Sequence, residues 1–471
     1  MIERTSRACS IAAAALLVIA VFAWLSFEIQ QGRLTNTDEL FTAERSREML
    51  LLGRSAVHLN FQLSFSKPPL QYWLTAWTLP RIDNREFAVR IWPLIFGSLT
   101  GLALAWLAFL LDRNKPWLIS LSVALLVSCP LFLTETSHAL LDSGLMFFTT
   151  LMIVFAQLAR KQPAWWLAVA VACWLGSMQK FVFSFFAWLI IVVTRVSSAS
   201  GRSVLRWWWL AGSIVFACVA VGIPFLIQFW QSHGTLGRVL IDDLRDTQKT
   251  FGMRPYLEIP FRLSVIWLCG ALALLAPIIL LVSKKDRRQA ARAELSILCL
   301  SVIVAGVISN LRSARYILPI VPCLCLLLAL VLIQLIERRK TIGKIALLIV
   351  FVLSIVGVIQ GKSKIDKQRR DVSDQLQIAH ELGLLQKPGR QIVVLRPVGG
   401  EVLYEFFYLF YGNLRFPTVE WTPDKLRAAA PARSAIGVCE ARDFPIVREK
   451  YPDATVDLQK GEFICWRADG G

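Results

Sequence analysis

Two adjacent carboxylates, Asp38-Glu39, and a lysine set before two prolines, Lys67-Pro68-Pro69, are the residues of this chain best suited to chemistry. A carboxylate takes a proton from a hydroxyl or steadies a positive charge, and a lysine ammonium is a compact charge for an anionic oxygen. A residue before proline avoids the helical region, so Lys67 stands on stiff, extended backbone. Each also has a plainer reading. Asp38 could cap the helix expected over 39–50, helped by Thr37 or Asn36, and Lys67 could snorkel towards lipid headgroups.

Both lie in a polar block, 38–90, that also carries Ser46-Arg47-Glu48-Met49-Leu50, His58-Leu59-Asn60 and Glu86-Phe87-Ala88-Val89-Arg90. Hydrophobic runs flank the block, yet its own backbone and charges would go unsatisfied in hydrocarbon. It must fold at a membrane surface with the carboxylates and lysine brought together, an arrangement suited to a phosphate-bearing lipid.

Further candidates follow along the chain. Glu135, His138 and Asp142 come after the third hydrophobic run, and His138 and Asp142, four residues apart, would share a helix face. An ionisable residue at the edge of an apolar helix is a functional candidate. Lys180 interrupts another apolar stretch and is a second lysine for a phosphate. Loop 231–261 holds Arg245 and Arg254, either of which could clamp a phosphate through two hydrogen bonds. The alternative is a solvated loop with internal ion pairs. Arg315-Tyr316 either reaches the site or anchors a span at the interface. One His and one Asp under-determine a metal site. With four histidines and no CxxC pair, no metal ligand is assigned and no cofactor is certain, a divalent metal being left open. Cys439 and Cys465 could form a disulfide.

The elements that must position these residues are hydrophobic. The 471 residues are 56% hydrophobic, with 17 Trp and 28 Phe, above the roughly 45–50% of soluble domains. Nearly charge-free runs cover 10–27, 87–111, 117–134, 144–159, 207–230, 263–282, 295–309, 316–336 and 345–359. A further stretch, 165–194, reads as two short spans or a re-entrant hairpin. These predict an all-α polytopic membrane protein of about 11 transmembrane helices. The first run follows Arg4 and Arg7 but lacks a small-residue cleavage site, so it reads as an uncleaved span.

The net charge of +18 implies no nucleic-acid partner, because the connections 1–9, 112–116, 160–162, 195–206, 284–294 and 337–344 hold most of it. Short basic connections on alternate sides are the positive-inside pattern. They predict a cytoplasmic N-terminus and place loop 28–90 and the tail on the periplasmic or outer side. The tail, 362–471, alternates helix and strand patterns and reads as a small α/β domain with a packing or docking role. The division expected is therefore a transmembrane domain, 1–361, and a soluble domain, 362–471.

The order Asp38-Glu39, Ala43-Glu44, Ser46-Arg47-Glu48-Met49-Leu50, His58-Leu59-Asn60, Phe65-x-Lys67-Pro68-Pro69-Leu70-x-Tyr72-Trp73-Leu74 and Glu86-Phe87-Ala88-Val89-Arg90 closely resembles the lipid A aminoarabinose transferases. It also resembles the wider superfamily of C-type membrane glycosyltransferases, which includes protein O-mannosyltransferases. Weaker matches at Asp142, Lys180, Arg254-Pro255-Tyr256 and Arg315-Tyr316 extend the resemblance to about residue 330. It implies a polyprenyl-phosphate sugar donor, a lipid or envelope-glycan acceptor, and inverting transfer on the outer membrane face. The family's first-loop aspartate matches Asp38 and its phosphate-binding lysine matches Lys67. A family arginine maps to Arg245 or Arg254. Two rivals stand beside this reading. One is a protein O-mannosyltransferase, for which the tail supplies no evident peptide-binding domain. The other is a flippase or transporter, which would show paired repeats and mid-span charges.

Overall fold

The computed structural model describes residues 2–53, 56–64, 67–197, 207–231, 263, 267–282, 290–308, 314–367, 371–396, 404–430 and 432–469. In chain order these form α1 (Ile2–Glu28), α2 (Thr37–Leu52), a hairpin of β1 (His58–Leu59) and β2 (Gln62–Leu63), α3 (Leu70–Thr78) and α4 (Arg85–Leu111). Next come α5 (Trp117–Val127), α6 (Pro130–Thr136), α7 (Asp142–Leu158), α8 (Trp165–Ser177), α9 (Phe181–Ser197), α10 (Trp207–Gln231), α11 (Trp267–Val282) and α12 (Ala290–Ile308). A 3₁₀ helix (Ala314–Ile320) leads into α13 (Val321–Arg338) and α14 (Lys340–Lys367). The tail adds α15 (Ser373–Leu385), β3 (Gln391–Leu395), α16 (Tyr404–Tyr411), β4 (Thr418–Trp421), α17 (Pro423–Ala428), β5 (Ala435–Glu440), α18 (Phe444–Lys450), β6 (Thr455–Lys460) and β7 (Phe463–Ala468).

The chain divides into two compact units. A helical unit comprises Met1–Ile29, Phe65–Gln71 and Arg90–Asp366, and a mixed unit comprises Gln30–Ser64, Tyr72–Val89 and Lys367–Gly471.

Among the described residues, three helices are long and apolar enough to cross a membrane: Ala8–Glu28, Arg85–Leu111 and Arg315–Arg338. The run 117–134, expected as one span, instead breaks into α5 and α6, bent by 66°. Pro130 has no N–H to continue the ladder, and Cys129 before it turns extended at φ −74°, ψ 116°, as a pre-proline residue must. Gly357 of α14 allows close approach at this break, since an added Cβ would run into the Ser128 carbonyl oxygen. The stretch 165–194 is two helices, α8 and α9. Even α7, at 17 residues, extends only about 25 Å at ~1.5 Å per residue, short of a hydrocarbon core of roughly 30 Å. Helix length alone therefore does not count the spans.

Ion pairs gather the basic connections at one end of the helical unit. Glu294 accepts from Arg160 at 2.6 Å and from Arg195 at 3.0 Å. Arg292 pairs with Asp112 at 2.7 Å, and Lys115 with Glu337 at 2.7 Å. Five of the short basic connections thus meet, as the alternation of charge along the sequence requires. Glu294, Arg195 and Arg292 are buried, and buried charges of this kind need such partners.

In the mixed unit a five-stranded sheet has the order β4-β3-β5-β7-β6. Strand β3 runs parallel to both β4 and β5, whereas β7 is antiparallel to β5 and β6. One face buries Val393, Leu395, Cys439, Ile464 and Trp466 with Leu426 and Val447 from α17 and α18. The disulfide considered for Cys439 and Cys465 is absent, and both are buried free thiols. Cys465 stands opposite Val438 in the register, so Cys439, one residue along, points to the other face.

Candidate functional site

The turn between α8 and α9 carries the best-defined cluster in the helical unit. Its Met178 carbonyl accepts the Leu70 N–H at 3.2 Å, which fastens the Lys67-Pro68-Pro69 segment to the turn. Pro68 and Pro69 are buried and Lys67 is half-buried. Two residues beyond Met178, the Lys180 ammonium donates to Asp142 Oδ1 at 2.6 Å and lies 4.9 Å from the centre of the Tyr316 ring. Asp142 opens α7, where the unpaired N–H groups of the first turn favour a carboxylate. The Asp142 side chain is 6% exposed and that of Lys180 21%, while Tyr316 is 39% exposed. The cluster is therefore open on its lysine and tyrosine side. Arg315, half-buried, precedes Tyr316 in the 3₁₀ helix. Asp142, Lys180 and Tyr316, read separately in the sequence, are one constellation.

This constellation lies at the opposite end of α7 and α9 from the ion-paired connections. Helix α7 runs from Asp142 towards Arg160, and α9 from beside Lys180 to Arg195.

His138 does not share a helix face with Asp142, contrary to the expectation from spacing. Helix α6 ends at Thr136 with Ser137 as its C-cap, and His138 stands in the turn that follows. Its Nδ1 is held by the Thr134 carbonyl and, at 3.1 Å, by Ser137 Oγ.

In the mixed unit, the cap of α2 is Asn36, whose Oδ1 accepts the Asp38 N–H at 2.9 Å. Asn36, rather than Asp38, is therefore the N-cap. Glu39 is only 1% exposed, whereas Asp38 is half-buried, so Asp38 is the more accessible of the two carboxylates. His58 is buried, and its Nδ1 is fixed by the Ala56 carbonyl at 2.9 Å.

Arg45 was missed by sequence reasoning. Its guanidinium donates to the Tyr72 hydroxyl at 2.8 Å and rests 5.2 Å from the Phe41 ring and 5.3 Å from the Tyr72 ring. Burial raises the Tyr72 phenol above its usual range, opposed by the Arg45 charge, and the Asp38 charge raises it further. The signal was available, because Asp38 and Arg45 are seven residues apart on a helix and so share a face.

Around α2 the charges are tied down. Arg47 holds both Glu44 oxygens, at 2.8 and 2.6 Å. Glu48 accepts the Phe61 N–H at 2.9 Å. Burial, with the Glu44 charge adding, pushes the Glu48 carboxyl up to about 8. Helix α16 is the clamp from the tail. Tyr411 accepts the Leu34 N–H at 2.8 Å and donates to Glu86 at 3.0 Å, and Glu86 also pairs with Arg33 at 2.8 Å. Glu405 accepts from Asn60 at 2.6 Å and from the Thr418 hydroxyl at 2.7 Å. Phe406 lies 4.6 Å from Phe41, centre to centre.

Arg245 and Arg254 lie outside the described residues. Among the described residues, no group of three or more His, Cys, Asp or Glu is arranged to hold a metal ion.

The family of dolichyl-phosphate-mannose-protein mannosyltransferases matches residues 41–233. The undecaprenyl phosphate-α-4-amino-4-deoxy-L-arabinose arabinosyl transferase 1 of Pseudomonas fluorescens is 25% identical over 350 residues, 69% of this chain and 58% of that protein. Transferase 2 of Sodalis glossinidius is 30% identical over 172 residues, 35% of this chain and 31% of that protein. The chain thus spans less than two thirds of the length of these relatives. In three dimensions it is similar to ArnT from Cupriavidus metallidurans bound to undecaprenyl phosphate, with a TM-score of 0.75 and 15% identity over 97% of this chain and 98% of that one. The oligosaccharyltransferase of Archaeoglobus fulgidus follows at a TM-score of 0.59 and 10% identity, over 93% of this chain and 69% of that one.

Proposed function

We propose that this chain, which has the C-type membrane glycosyltransferase fold and resembles the lipid A aminoarabinose transferases, transfers a sugar from a polyprenyl-phosphate donor to a lipid A-like or other envelope-glycan acceptor. The observation that carries this reading is the turn after α8. It fastens the Lys67 segment through Met178 and presents Lys180 between Asp142 and Tyr316.

In the inverting reaction an acceptor oxygen attacks the anomeric carbon as its bond to the phosphate oxygen breaks. The polyprenyl phosphate leaves with the electron pair and an added negative charge. Ammonium groups at Lys67 and Lys180 stabilise that charge, commonly the largest contribution to such catalysis. The guanidinium of Arg245 or Arg254 is assigned the same task. Asp38 takes the proton of a hydroxyl acceptor, worth about 10²–10⁴-fold, whereas a phosphate acceptor is already anionic and needs no base. Glu39, His58, His138 and Arg315 support the site rather than react.

The protein is read as a multi-pass protein of the bacterial inner membrane with about 11 spans. The positive-inside pattern puts the ion-paired connections in the cytoplasm, and the Asp142–Lys180 end of α7 then faces outward. Loop 28–90 and the 362–471 domain lie on that outer side.

The test is mass spectrometry of envelope lipids and surface glycans from a deletion strain complemented with wild type, Asp38→Asn or Lys67→Ala. One glycan loses a single sugar on deletion, and only wild type restores it. Full rescue by both variants would refute the mechanism. An unchanged glycan profile with altered lipid transport would point to a flippase.

A further inference from the structure

Gln179, between the Met178 carbonyl that holds the Lys67 segment and the Lys180 that meets Asp142, is fully buried. Neither its amide nitrogen nor its amide oxygen has a hydrogen-bond partner among the described residues. A buried polar group without a partner is costly and rare, so an amide kept in this condition calls for a ligand. A glycine makes room for the amide itself. An added Cβ at Gly144, in the first turn of α7, would lie 2.6 Å from the Gln179 amide nitrogen. Gly144 is two residues from Asp142, so the amide rests against the same helix turn that carries the carboxylate. Side by side stand an anion, a cation and a neutral group able both to donate and to accept.

We propose that Gln179 is a specificity-determining residue that hydrogen-bonds a hydroxyl or amino group of the donor's sugar. The inference rests on the glycosyl-transfer reading and adds the residue that distinguishes one sugar from another. Lysine charges hold the phosphate and are indifferent to the ring. An amide that both donates and accepts senses whether a ring substituent is present, because a buried polar site rejects a ligand that leaves it unpaired.

The test uses the full chain in lipid nanodiscs. Affinity is measured for undecaprenyl phosphate alone and for a panel of undecaprenyl-phosphate sugars, including 4-amino-4-deoxyarabinose, glucose, galactose and mannose. For the sugar lipid that wild type prefers, Gln179→Leu binds about 10–100-fold more weakly, while affinity for undecaprenyl phosphate alone stays within about twofold. Gly144→Ala, which displaces the amide, reproduces the same selective loss with the melting temperature followed in parallel. Equal loss for both lipids, or no loss in Gln179→Leu, overturns the assignment. So does a wild type that makes no distinction between sugar-bearing and sugar-free lipid. Failure of wild type to bind any of these lipids refutes the glycosyl-transfer reading itself.

Discussion

The charged groups of the helical unit and those of the mixed unit are held in opposite ways. Lys180 has one carboxylate partner and one aromatic ring, and it remains partly exposed. Around α2, by contrast, Glu44 takes two hydrogen bonds from Arg47, Glu86 takes Arg33 and Tyr411, and Glu405 takes Asn60 and Thr418. A charge with spare hydrogen-bonding capacity can exchange its partner for a ligand. A carboxylate that already takes two hydrogen bonds from neighbouring side chains holds a fold. On the proposed reading, chemistry falls to the first region and scaffolding to the second, with half-buried Asp38 kept for the acceptor.

The largest expected effect is at Lys180. Lys180→Ala lowers transfer in a purified assay by about 10²–10³-fold, the loss typical for one donor to a developing oxyanion. Because removing one partner leaves a buried charge unpaired, the single variant also melts lower. The double variant Asp142→Asn with Lys180→Met regains the melting temperature but not the transfer. Recovery of both would make the pair structural and erase the contrast between the units.

Next is the clamp on the tail. Asn60→Ala leaves Glu405 and the Thr418 backbone without their shared partner, a loss of about 1–3 kcal/mol visible as a lower melting temperature. Transfer per folded molecule stays within about twofold. A large drop in turnover without destabilisation would move this region to the chemical side. Tyr411→Phe removes a donor to Glu86 and an acceptor for Leu34 and costs about 1 kcal/mol, read by the same melt.

The smallest effect is on pH dependence. Glu48 holds its proton up to about 8 in the fold, whereas an unfolded glutamate loses it near ~4.3. Between those values the folded state binds more protons, so stability falls as pH rises and levels off above about 8. Glu48→Gln flattens that slope in melts taken from pH 5 to 9. An unchanged slope would place the buried proton elsewhere.

The first-loop motif was legible because its residues follow one another along a single stretch, so spacing alone carried the resemblance. The Asp142–Lys180–Tyr316 constellation was legible only as parts. Each residue stands at a helix end, and helix packing, which a single sequence does not display, decides which ends meet. In the tail, the compact hydrophobic runs 391–396 and 435–439 read as strands, and they form β3 and β5. The stretch 401–411 reads as a helix or an aromatic strand, because a run so dense in aromatics satisfies both periods, and Tyr404–Tyr411 is a helix. Strand β6, Thr455 to Lys460, went unforeseen because its alternation rests on only two apolar residues, Val456 and Leu458, in a strand that is never fully buried. His138 and Asp142 misled because the count of four assumes a continuous helix, which ends at Thr136.

The most direct measurement is the affinity of the full chain in nanodiscs for undecaprenyl phosphate. If the helical unit holds the donor phosphate, Lys67→Ala and Lys180→Ala each bind at least about tenfold more weakly, ~1.4 kcal/mol, and Asp38→Asn binds like wild type. Lysine variants that bind like wild type, or an Asp38→Asn variant that loses as much as they do, would contradict the division of labour between the two units.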